Sequence, residues 1–274
     1  MDRRGARDAT GRRLIHVAAG AVEDAQGRIL ITRRPDHAHQ GGLWEFPGGK
    51  LESGETPQQG LARELYEELG IRVRKQRPLI RVHHDYGDRH VLLDVHRVTE
   101  YEGEPRGREG QPLDWVAPMA MRPELFPAAD RPIISALRLP ALYLITGPDP
   151  RDLRGFLARL VAALESGVRL VQLRAHALDD AQYARLARGA LSLCEPQGAR
   201  LLLNRDPALA GDLPCHGLHL SASRLNRLDE RPRREDWWVG ASCHHASDLE
   251  RAARLGLDYA LLSPVKATLT HPDA

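Results

Sequence analysis

One segment limits the possible folds of this chain more than any other. It is a loop that begins with glycines and is followed by an acidic helix. Thr56 and Pro57 are typical of a helix N-terminus, because a threonine hydroxyl can cap the first turn and proline fits its first position. Gly70 is typical of a helix end. The sequence therefore predicts a helix that begins at Pro57 and ends before Gly70.

Three glutamates lie on one face of this predicted helix. Glu64, Glu67 and Glu68 have the spacing i, i+3 and i+4, and their repulsion costs roughly a few tenths of a kcal/mol per pair. One interpretation is an exposed acidic surface. The other is a site for Mg²⁺, which takes carboxylate oxygens and shares its ligand shell with substrate phosphates. The helix N-terminus also favours anions.

The residues around these glutamates favour the second interpretation. The segment Gly49–Ile71 matches the pattern G-x5-E-x7-R-E-U-x-E-E-x-G-U without a gap, where U is a bulky aliphatic residue. The chain thus resembles the Nudix hydrolases, which use Mg²⁺ or Mn²⁺ to hydrolyse nucleoside diphosphates linked to another group. The resemblance covers about residues 14–138 and implies an α+β Nudix fold, a mixed sheet sandwiched by helices.

Other segments of this region resemble the MutT-type branch, the 8-oxo-dGTP diphosphatases. They are Arg33-Arg34, His39, Trp44–Gly49, Arg106–Pro112, Trp115 and Phe126–Leu137. The resemblance implies an Mg²⁺-dependent pyrophosphohydrolase, with Mn²⁺ as a possible substitute, that converts 8-oxo-dGTP to 8-oxo-dGMP and pyrophosphate. Such an enzyme cleanses the nucleotide pool and prevents mutations. Its partner would be a nucleoside triphosphate.

The family's functional positions transfer to this chain residue by residue. The metal-binding positions are Gly48 through its carbonyl, Glu64, Glu67, Glu68 and Glu109. The substrate-binding positions are Arg34, His39, Glu45, Phe46, Pro47, Gly48 and Asp130. Either Glu64 or Glu109 matches the catalytic base, and the resemblance leaves this choice open. Arg63 and Glu55 are expected to form an internal ion pair that fixes the loop against the helix.

Asp130 departs from the MutT-type pattern, which usually has an asparagine that reads the base. In 8-oxoguanine, N7 carries a proton and O6 is an acceptor. An ionised aspartate can accept from N7–H but cannot donate to O6, whereas a protonated aspartate can do both. Burial can raise the pKa of an aspartate and so favour its protonated form. Alternatively, Asp130 accepts from N1–H and the N2 amino group, or it caps the helix predicted near Arg131.

The pattern of predicted strands and helices changes after Pro140. Six strand-like runs follow, with helical patterns between several of them, which predicts a parallel sheet of βαβ units. Their order resembles the thiamine phosphate synthase and thiazole tautomerase (TenI-like) family, a TIM barrel, over about residues 141–274. The second domain is therefore expected to be an α/β, incomplete TIM-barrel-like domain.

This second region departs from the synthase pattern. His176 replaces a lysine, Arg205 stands between Asn204 and Asp206, and no aspartate follows Leu220 in its motif, which argues against synthase activity. His244 lies in a segment that resembles the tautomerase's Ser-x-His. It is either an acid/base that transfers a proton near neutral pH or a structural or exposed histidine.

Length raises a further expectation about the second domain. A complete (β/α)₈ barrel typically needs about 250 residues and at least about 200, and far fewer follow Pro140. The expectation is that the chain is a truncated form of a longer protein and that this domain is inactive.

Composition narrows the function classes. The formal net charge is +2 and aromatic residues make up 5%, which argues against direct DNA binding. The apolar runs are too short to cross a membrane, and residues 1–13 look like a flexible lead-in rather than a signal peptide. Three cysteines without CxxC spacing suit a cytoplasmic protein. Two alternative functions remain: hydrolysis of a pyrimidine or thiamine diphosphate, and nucleotide sensing without catalysis. The sequence leaves the oligomeric state open.

Overall fold

The computed structural model of the chain describes residues 14–36, 40–87, 89–147, 152–232 and 237–266. The predicted lead-in, residues 1–13, and the predicted substrate residue His39 lie outside these ranges. The chain divides into two compact units, Met1–Arg138 and Leu139–Ala274. No helix within the described ranges is long and apolar enough to span a membrane.

The first unit has an α+β fold with two sheets. Its strands and helices are β1 (Leu14–Val22), β2 (Ile29–Arg33), β3 (Trp44–Glu45), β4 (Gly48–Lys50), α1 (Pro57–Leu69), β5 (Arg72–Asp85), β6 (His90–Glu102), β7 (Leu113–Val116) and α2 (Arg131–Arg138). One sheet has the order β4-β1-β6-β5 and is mixed, because β1 runs parallel to β6 while the other pairs are antiparallel. The other sheet, β3-β2-β7, is antiparallel. The predicted mixed sheet is thereby confirmed.

Helix α1 begins and ends where the sequence predicts. Thr56 and Gln59 form a capping box, in which the Gln59 N–H donates to Thr56 Oγ1 at 3.3 Å. Gly70 ends the helix with a φ of 75°, which favours glycine. The buried side chains of Leu61 and Leu65 pack with strand β1, and each contributes roughly 1.5–3 kcal/mol by leaving water.

Two apolar runs, residues 14–22 and 27–34, with an Asp-Ala-Gln-Gly turn signal at residues 24–27, predict a β-hairpin, and this prediction is wrong beyond the turn. The Asp24 N–H donates to the Arg28 carbonyl at 3.0 Å, and a bridge between Glu23 and Ile29 follows. The strands then enter different sheets. Strand β2 is buried on both faces, with Leu30 in one hydrophobic core and Ile29 in the other. Because β2 contributes side chains to both cores, it does not pair with β1 along its length.

The sequence predicts two separate strands after α1, near residues 72–76 and 79–86, but the structure has one continuous strand there. Strand β5 covers both, and register shifts between Val73 and Lys75, Lys75 and Gln76, and Pro78 and Ile80 mark irregularities in its pairing with β6. Proline lacks the N–H that a sheet ladder uses, so it fits a bulge. Alternating patterns interrupted by proline therefore look like two strands in the sequence.

The second unit is a parallel half-barrel, as the sequence predicts. Its strands and helices are β8 (Tyr143–Ile145), α3 (Leu153–Glu165), β9 (Leu170–Leu173), α4 (Asp180–Cys194), β10 (Arg200–Leu203), α5 (Pro207–Ala210), β11 (Gly217–Leu220), α6 (Ala222–Leu225), β12 (Trp238–Cys243), α7 (Ala246–Arg254) and β13 (Tyr259–Leu262). Strands consecutive in sequence are neighbours in the sheet, and the pairs are parallel. The main core of this unit lies between the sheet and its helices.

Candidate active site

Arg63 ties the loop before α1 to the helix. Its Nε and Nη2 donate to the two carboxylate oxygens of Glu55 at 2.8 and 2.9 Å, and these bonds lower the pKa of Glu55 to about 2. Its Nη1 donates to Glu64 at 2.9 Å and Glu67 at 3.2 Å, and its Nη2 donates to the Lys50 carbonyl at 3.1 Å. The predicted ion pair between Arg63 and Glu55 is confirmed.

Two glycines bring the loop backbone against the sheet and the helix. Gly48 has a φ of 144°, and a Cβ there would lie 2.2 Å from the Ala18 carbonyl oxygen. A Cβ on Gly49 would lie 2.3 Å from the carboxyl carbon of Glu64. Neither position has room for a side chain, so the loop backbone lies directly beside the acidic face of α1.

Glu68 lies among other carboxylates. Burial raises its pKa to about 8, with further increases from the charges of Glu64, Glu109 and Glu45, and the N–H of Gly48 opposes the change by donating to Glu68 Oε2 at 3.2 Å. A nearby cation favours the ionised form of a carboxyl group whose ionisation is opposed by burial and by neighbouring negative charges. The local electrostatics therefore favour a positively charged ligand beside Glu68.

Glu109 reaches this region on a loop that docks onto the end of α1. The N–H of Arg108 donates to the Glu68 carbonyl at 2.9 Å, and Gln111 Nε2 donates to the same carbonyl at 3.3 Å. The Gln111 side chain also accepts from the Glu109 N–H at 2.9 Å. The helix end thus fixes the loop, and Glu109 comes close enough to raise the pKa of Glu68.

The glutamates have the chemistry of a magnesium site but are not gathered as one in this conformation. Within the described ranges, no group of three His, Cys, Asp or Glu side chains is arranged to hold a metal ion. Glu64 and Glu67 are paired with Arg63 instead. The donor set nevertheless fits Mg²⁺, which prefers carboxylate oxygens, and burial together with the charges of nearby carboxylates raises the pKa of Glu68.

A cavity of about 320 Å³ lies beside this cluster. Its lining residues are Ile15, Val17, Ala19, Arg34, Gln40, Glu45, Phe46, Gly48, Gly49, Lys50, Tyr86, Arg89, Val91, Leu93, Pro127, Ala129 and Asp130. Most of the predicted substrate residues line it. Pro47 is buried and is not among the lining residues, and its carbonyl accepts from the Gly20 N–H at 2.8 Å. Sequence reasoning missed Tyr86 and Arg89, because the turn that follows β5 carries no motif.

Asp130 forms a buried polar end of the cavity. Only 8% of it is exposed, and burial raises its pKa to about 7, helped by the charge of Glu45 and opposed by Arg34 and by a hydrogen bond from the Phe46 N–H. Arg34 Nη1 donates to Glu45 Oε2, while burial raises the pKa of Glu45. The Phe46 ring stacks on Phe126 with centroids 5.7 Å apart. The site thus combines an apolar wall with a carboxyl group close to its titration point at neutral pH.

His244 in the second unit lies at the end of β12. Its backbone N–H donates to Asp248 Oδ2 at 2.9 Å, and its Nδ1 contacts the Ser263 carbonyl. The side chain is exposed. These contacts hold the ring in place, and the acid/base role stays a prediction.

Comparisons with known proteins agree with this arrangement. The model described as NUDIX domain matches residues 18–136, and the one described as Thiamine monophosphate synthase matches residues 142–274. The chain is 40% identical over 124 residues to the 8-oxo-dGTP diphosphatase of Escherichia coli (strain K12), covering 45% of this chain and 96% of that protein. It is 37% identical over 125 residues to the CTP pyrophosphohydrolase of the same organism, covering 45% of this chain and 91% of that protein.

The second unit has curated relatives of its own. The chain is 34% identical over 139 residues to the thiamine-phosphate synthase of Thioalkalivibrio sulfidiphilus (strain HL-EbGR7). That alignment covers 50% of this chain and 66% of the synthase, so the chain spans just under two thirds of that protein.

The fold and site of the first unit, with these similarities, define a hydrolase that acts on acid anhydrides. The chain belongs to the Nudix family, and its first unit is a nucleotide pyrophosphohydrolase. A second domain similar to thiamine-phosphate synthases is fused to it.

Proposed function

We propose that this chain is an Mg²⁺-dependent nucleoside triphosphate pyrophosphohydrolase whose preferred substrate is 8-oxo-dGTP. The products are 8-oxo-dGMP and pyrophosphate. The proposal rests on one observation: the same two glycines border both the cavity and the acidic face of α1. Gly48 and Gly49 line the cavity, and they also contact Glu68 and Glu64, respectively. A triphosphate whose base occupies the cavity would therefore extend past these glycines to the carboxylates.

The residues that would hold Mg²⁺ are the Gly48 carbonyl, Glu64, Glu67, Glu68 and Glu109. When bound, the ion neutralises phosphate charge and lowers the pKa of a water molecule, and Mn²⁺ could replace it. Glu64 or Glu109 takes the proton from the attacking water. Arg34 lines the cavity and is placed to contact phosphate, since a guanidinium pairs well with phosphate oxygens.

Asp130 would read the base as a neutral carboxylic acid. Its hydroxyl donates to O6 of 8-oxoguanine while its carbonyl oxygen accepts from N7–H, which guanine lacks. The raised pKa and the burial of Asp130 support this pairing. A pairing of the ionised form with N1–H and the N2 amino group is the alternative. Guanine offers the same two donors, so this pairing would not make the preference for 8-oxo-dGTP over dGTP depend on pH.

A substrate panel tests the proposed function. Initial rates of phosphate and pyrophosphate release would be measured with Mg²⁺ for 8-oxo-dGTP, dGTP, CTP and hydroxymethylpyrimidine diphosphate. We expect kcat/KM for 8-oxo-dGTP to exceed that for each of the others by at least about tenfold, the effect of one or two good hydrogen bonds. Preference for CTP or for the pyrimidine diphosphate would overturn the proposal.

A preference for CTP or for the pyrimidine diphosphate has specific support. One relative is a CTP pyrophosphohydrolase, and the second unit is similar to thiamine-phosphate synthases. Turnover of the pyrimidine diphosphate, with the oxidised nucleotide ignored, would assign the chain to the metabolism of pyrimidine or thiamine diphosphates. Tight binding of nucleotides without turnover would instead indicate a sensing module.

The pH dependence of selectivity distinguishes the two forms of Asp130. Because its pKa is about 7, the neutral form dominates below pH 7 and is lost above it. We expect the ratio of kcat/KM for 8-oxo-dGTP to that for dGTP to fall as pH rises from 6 to 9, by up to about tenfold, the effect of losing one good hydrogen bond. The ratio cancels ionisations that affect both substrates.

Asp130→Asn is the matched control for this profile. An amide donates and accepts at every pH, so the ratio should become independent of pH. A wild-type ratio that does not fall as pH rises would contradict the neutral form and support recognition by the carboxylate.

A further inference from the structure

The loop formed by residues 106–111, which we call the capping loop, supplies donors to the end of α1. The last carbonyls of a helix lack partners within the helix, and they form the negative end of its dipole. Arg108 donates twice, from its N–H to the Glu68 carbonyl at 2.9 Å and from Nη1 to the Tyr66 carbonyl at 3.0 Å. Gln111 Nε2 donates to the Glu68 carbonyl at 3.3 Å. The capping loop is thus bonded to the helix that carries the other glutamates.

The Arg108 side chain is held against α1 although it is exposed. Its guanidinium carbon lies 5.1 Å from the centre of the Tyr66 ring, within the range of a cation–π contact. A Cβ on Gly70 would lie 2.6 Å from Arg108 Nη2 and 2.7 Å from its Nε. The glycine that ends the helix therefore also leaves the space that the guanidinium occupies.

Glu109 lies next to Arg108 in a tight turn. The Gly110 N–H donates to the Gly107 carbonyl at 3.1 Å, so Arg108 and Glu109 are the two central residues of this turn. On the other side, Gln111 Oε1 accepts from the Glu109 N–H at 2.9 Å. The backbone of Glu109 is therefore fixed by the contacts of the residue before it and by the Gln111 side chain after it.

Like charge opposes this position of Glu109. Burial raises the pKa of Glu68 to about 8, and the charge of Glu109 adds to the increase, so the two carboxylates are close enough to repel each other. Glycines at both ends of the turn make its backbone easy to displace. In the absence of a cation, the contacts of Arg108 and Gln111 with α1 are what oppose the repulsion.

We propose that Arg108 and Gln111 are positioning residues that hold Glu109 beside Glu68 before a divalent cation binds. The inference rests on the metal site of the proposed function. A ligand that is already in place does not have to be ordered when the metal binds, and groups that orient metal ligands strengthen binding in this way.

The sign of the effect distinguishes positioning from simple electrostatics. Arg108 is a cation, so removal of its charge should strengthen the binding of a divalent cation if Coulomb interactions alone acted. Loss of positioning should weaken binding instead. Replacement of the neutral Gln111 changes no charge and provides an independent test.

Binding of Mn²⁺ to the full chain without nucleotide tests the proposal, with the electron paramagnetic resonance signal of free Mn²⁺ as the measurement. We expect Arg108→Met and Gln111→Leu each to raise the Kd by about tenfold, the lower end of the effect of losing a group that orients a metal ligand. Arg108→Lys keeps a charged donor and should restore most of the affinity. Thermal melting checks that the variants are folded.

Arg106→Met is the matched control for the loss of charge. The Arg106 side chain pairs with Glu104 on the surface, whereas its hydrogen bond to α1 comes from its backbone N–H, which donates to the Leu69 carbonyl at 3.0 Å. This variant removes the same charge from the same loop and should not raise the Kd for Mn²⁺.

A second comparison tests whether Arg108 acts through Glu109. In the Glu109→Gln background, Arg108→Met should cause no further loss of Mn²⁺ affinity, because the carboxylate that it positions is gone. An equal loss in both backgrounds, or binding to Arg108→Met as tight as to the wild type, would overturn the proposal and leave the proposed function intact. Failure of the wild-type chain to bind Mn²⁺ would overturn the proposed metal site and this inference together.

Discussion

Replacing Glu64 by glutamine should lower kcat for nucleotide hydrolysis by about 10²–10⁴-fold, the usual contribution of a general base. Glutamine keeps the size of the side chain but cannot take a proton, and it also removes a metal-binding charge. Glu64 lies against Gly49 at the cavity wall, where the attacking water would be activated under the proposed function. The measurement is steady-state release of pyrophosphate from 8-oxo-dGTP at saturating Mg²⁺.

Glu109→Gln, measured in the same way, decides between the two candidate bases. If Glu64 is the base, Glu109→Gln should reduce kcat less and retain the wild-type dependence of rate on pH. Glu100→Gln is the matched surface control, because Glu100 pairs with Lys75 on the exposed edge of the sheet. Full activity of Glu64→Gln would exclude Glu64 as the base.

Gly48→Ala should damage both stability and catalysis. The new Cβ would lie 2.2 Å from the Ala18 carbonyl oxygen and 2.9 Å from the Ala19 Cα, and neither backbone atom can move aside cheaply. With the unfavourable φ of 144°, we expect the free energy of unfolding to fall by about 2–4 kcal/mol. Strand β4 must shift to relieve the clash, which moves the Gly48 N–H away from Glu68 and lowers kcat. Chemical denaturation and the pyrophosphate assay measure the two effects.

Gly27→Ala separates strain from crowding. Gly27 also has a positive φ, 75°, but the nearest atom to an added Cβ is a Glu23 side-chain oxygen at 3.7 Å. It should cost about 1 kcal/mol and leave kcat unchanged. Equal losses of stability in the two variants would contradict the crowding argument at Gly48.

The local features of the first unit were predictable because short-range chemistry determines them. Thr56, Pro57 and Gly70 define the ends of α1 through capping and backbone geometry. The pairing of Arg63 with Glu55 follows from the spacing of the family pattern, and the structure adds Glu64 and Glu67 to the same guanidinium. In the second unit, alternation of strands and helices was enough to predict a parallel sheet.

Features that depend on distant parts of the chain could not be predicted in this way. The turn after β1 looks like a hairpin because hairpins and sheet-to-sheet connections share the same turn residues. Tyr86 and Arg89 reach the cavity only because β6 pairs with β1 and β5 pairs with β6. The pKa of Asp130 depends on burial and on Glu45, which is distant in sequence.

Strand β1 makes the first unit unusually sensitive to changes of chain length. Its side chains alternate, so Val17 and Ala19 face the cavity while Ala18 and Val22 pack with the leucines of α1. Inserting or deleting one residue within β1 would exchange these two sets, since side chains alternate with a period of two. Such length changes should abolish folding and catalysis together. The exposed turn that follows the strand offers a place where the chain can lengthen during evolution or engineering without that exchange.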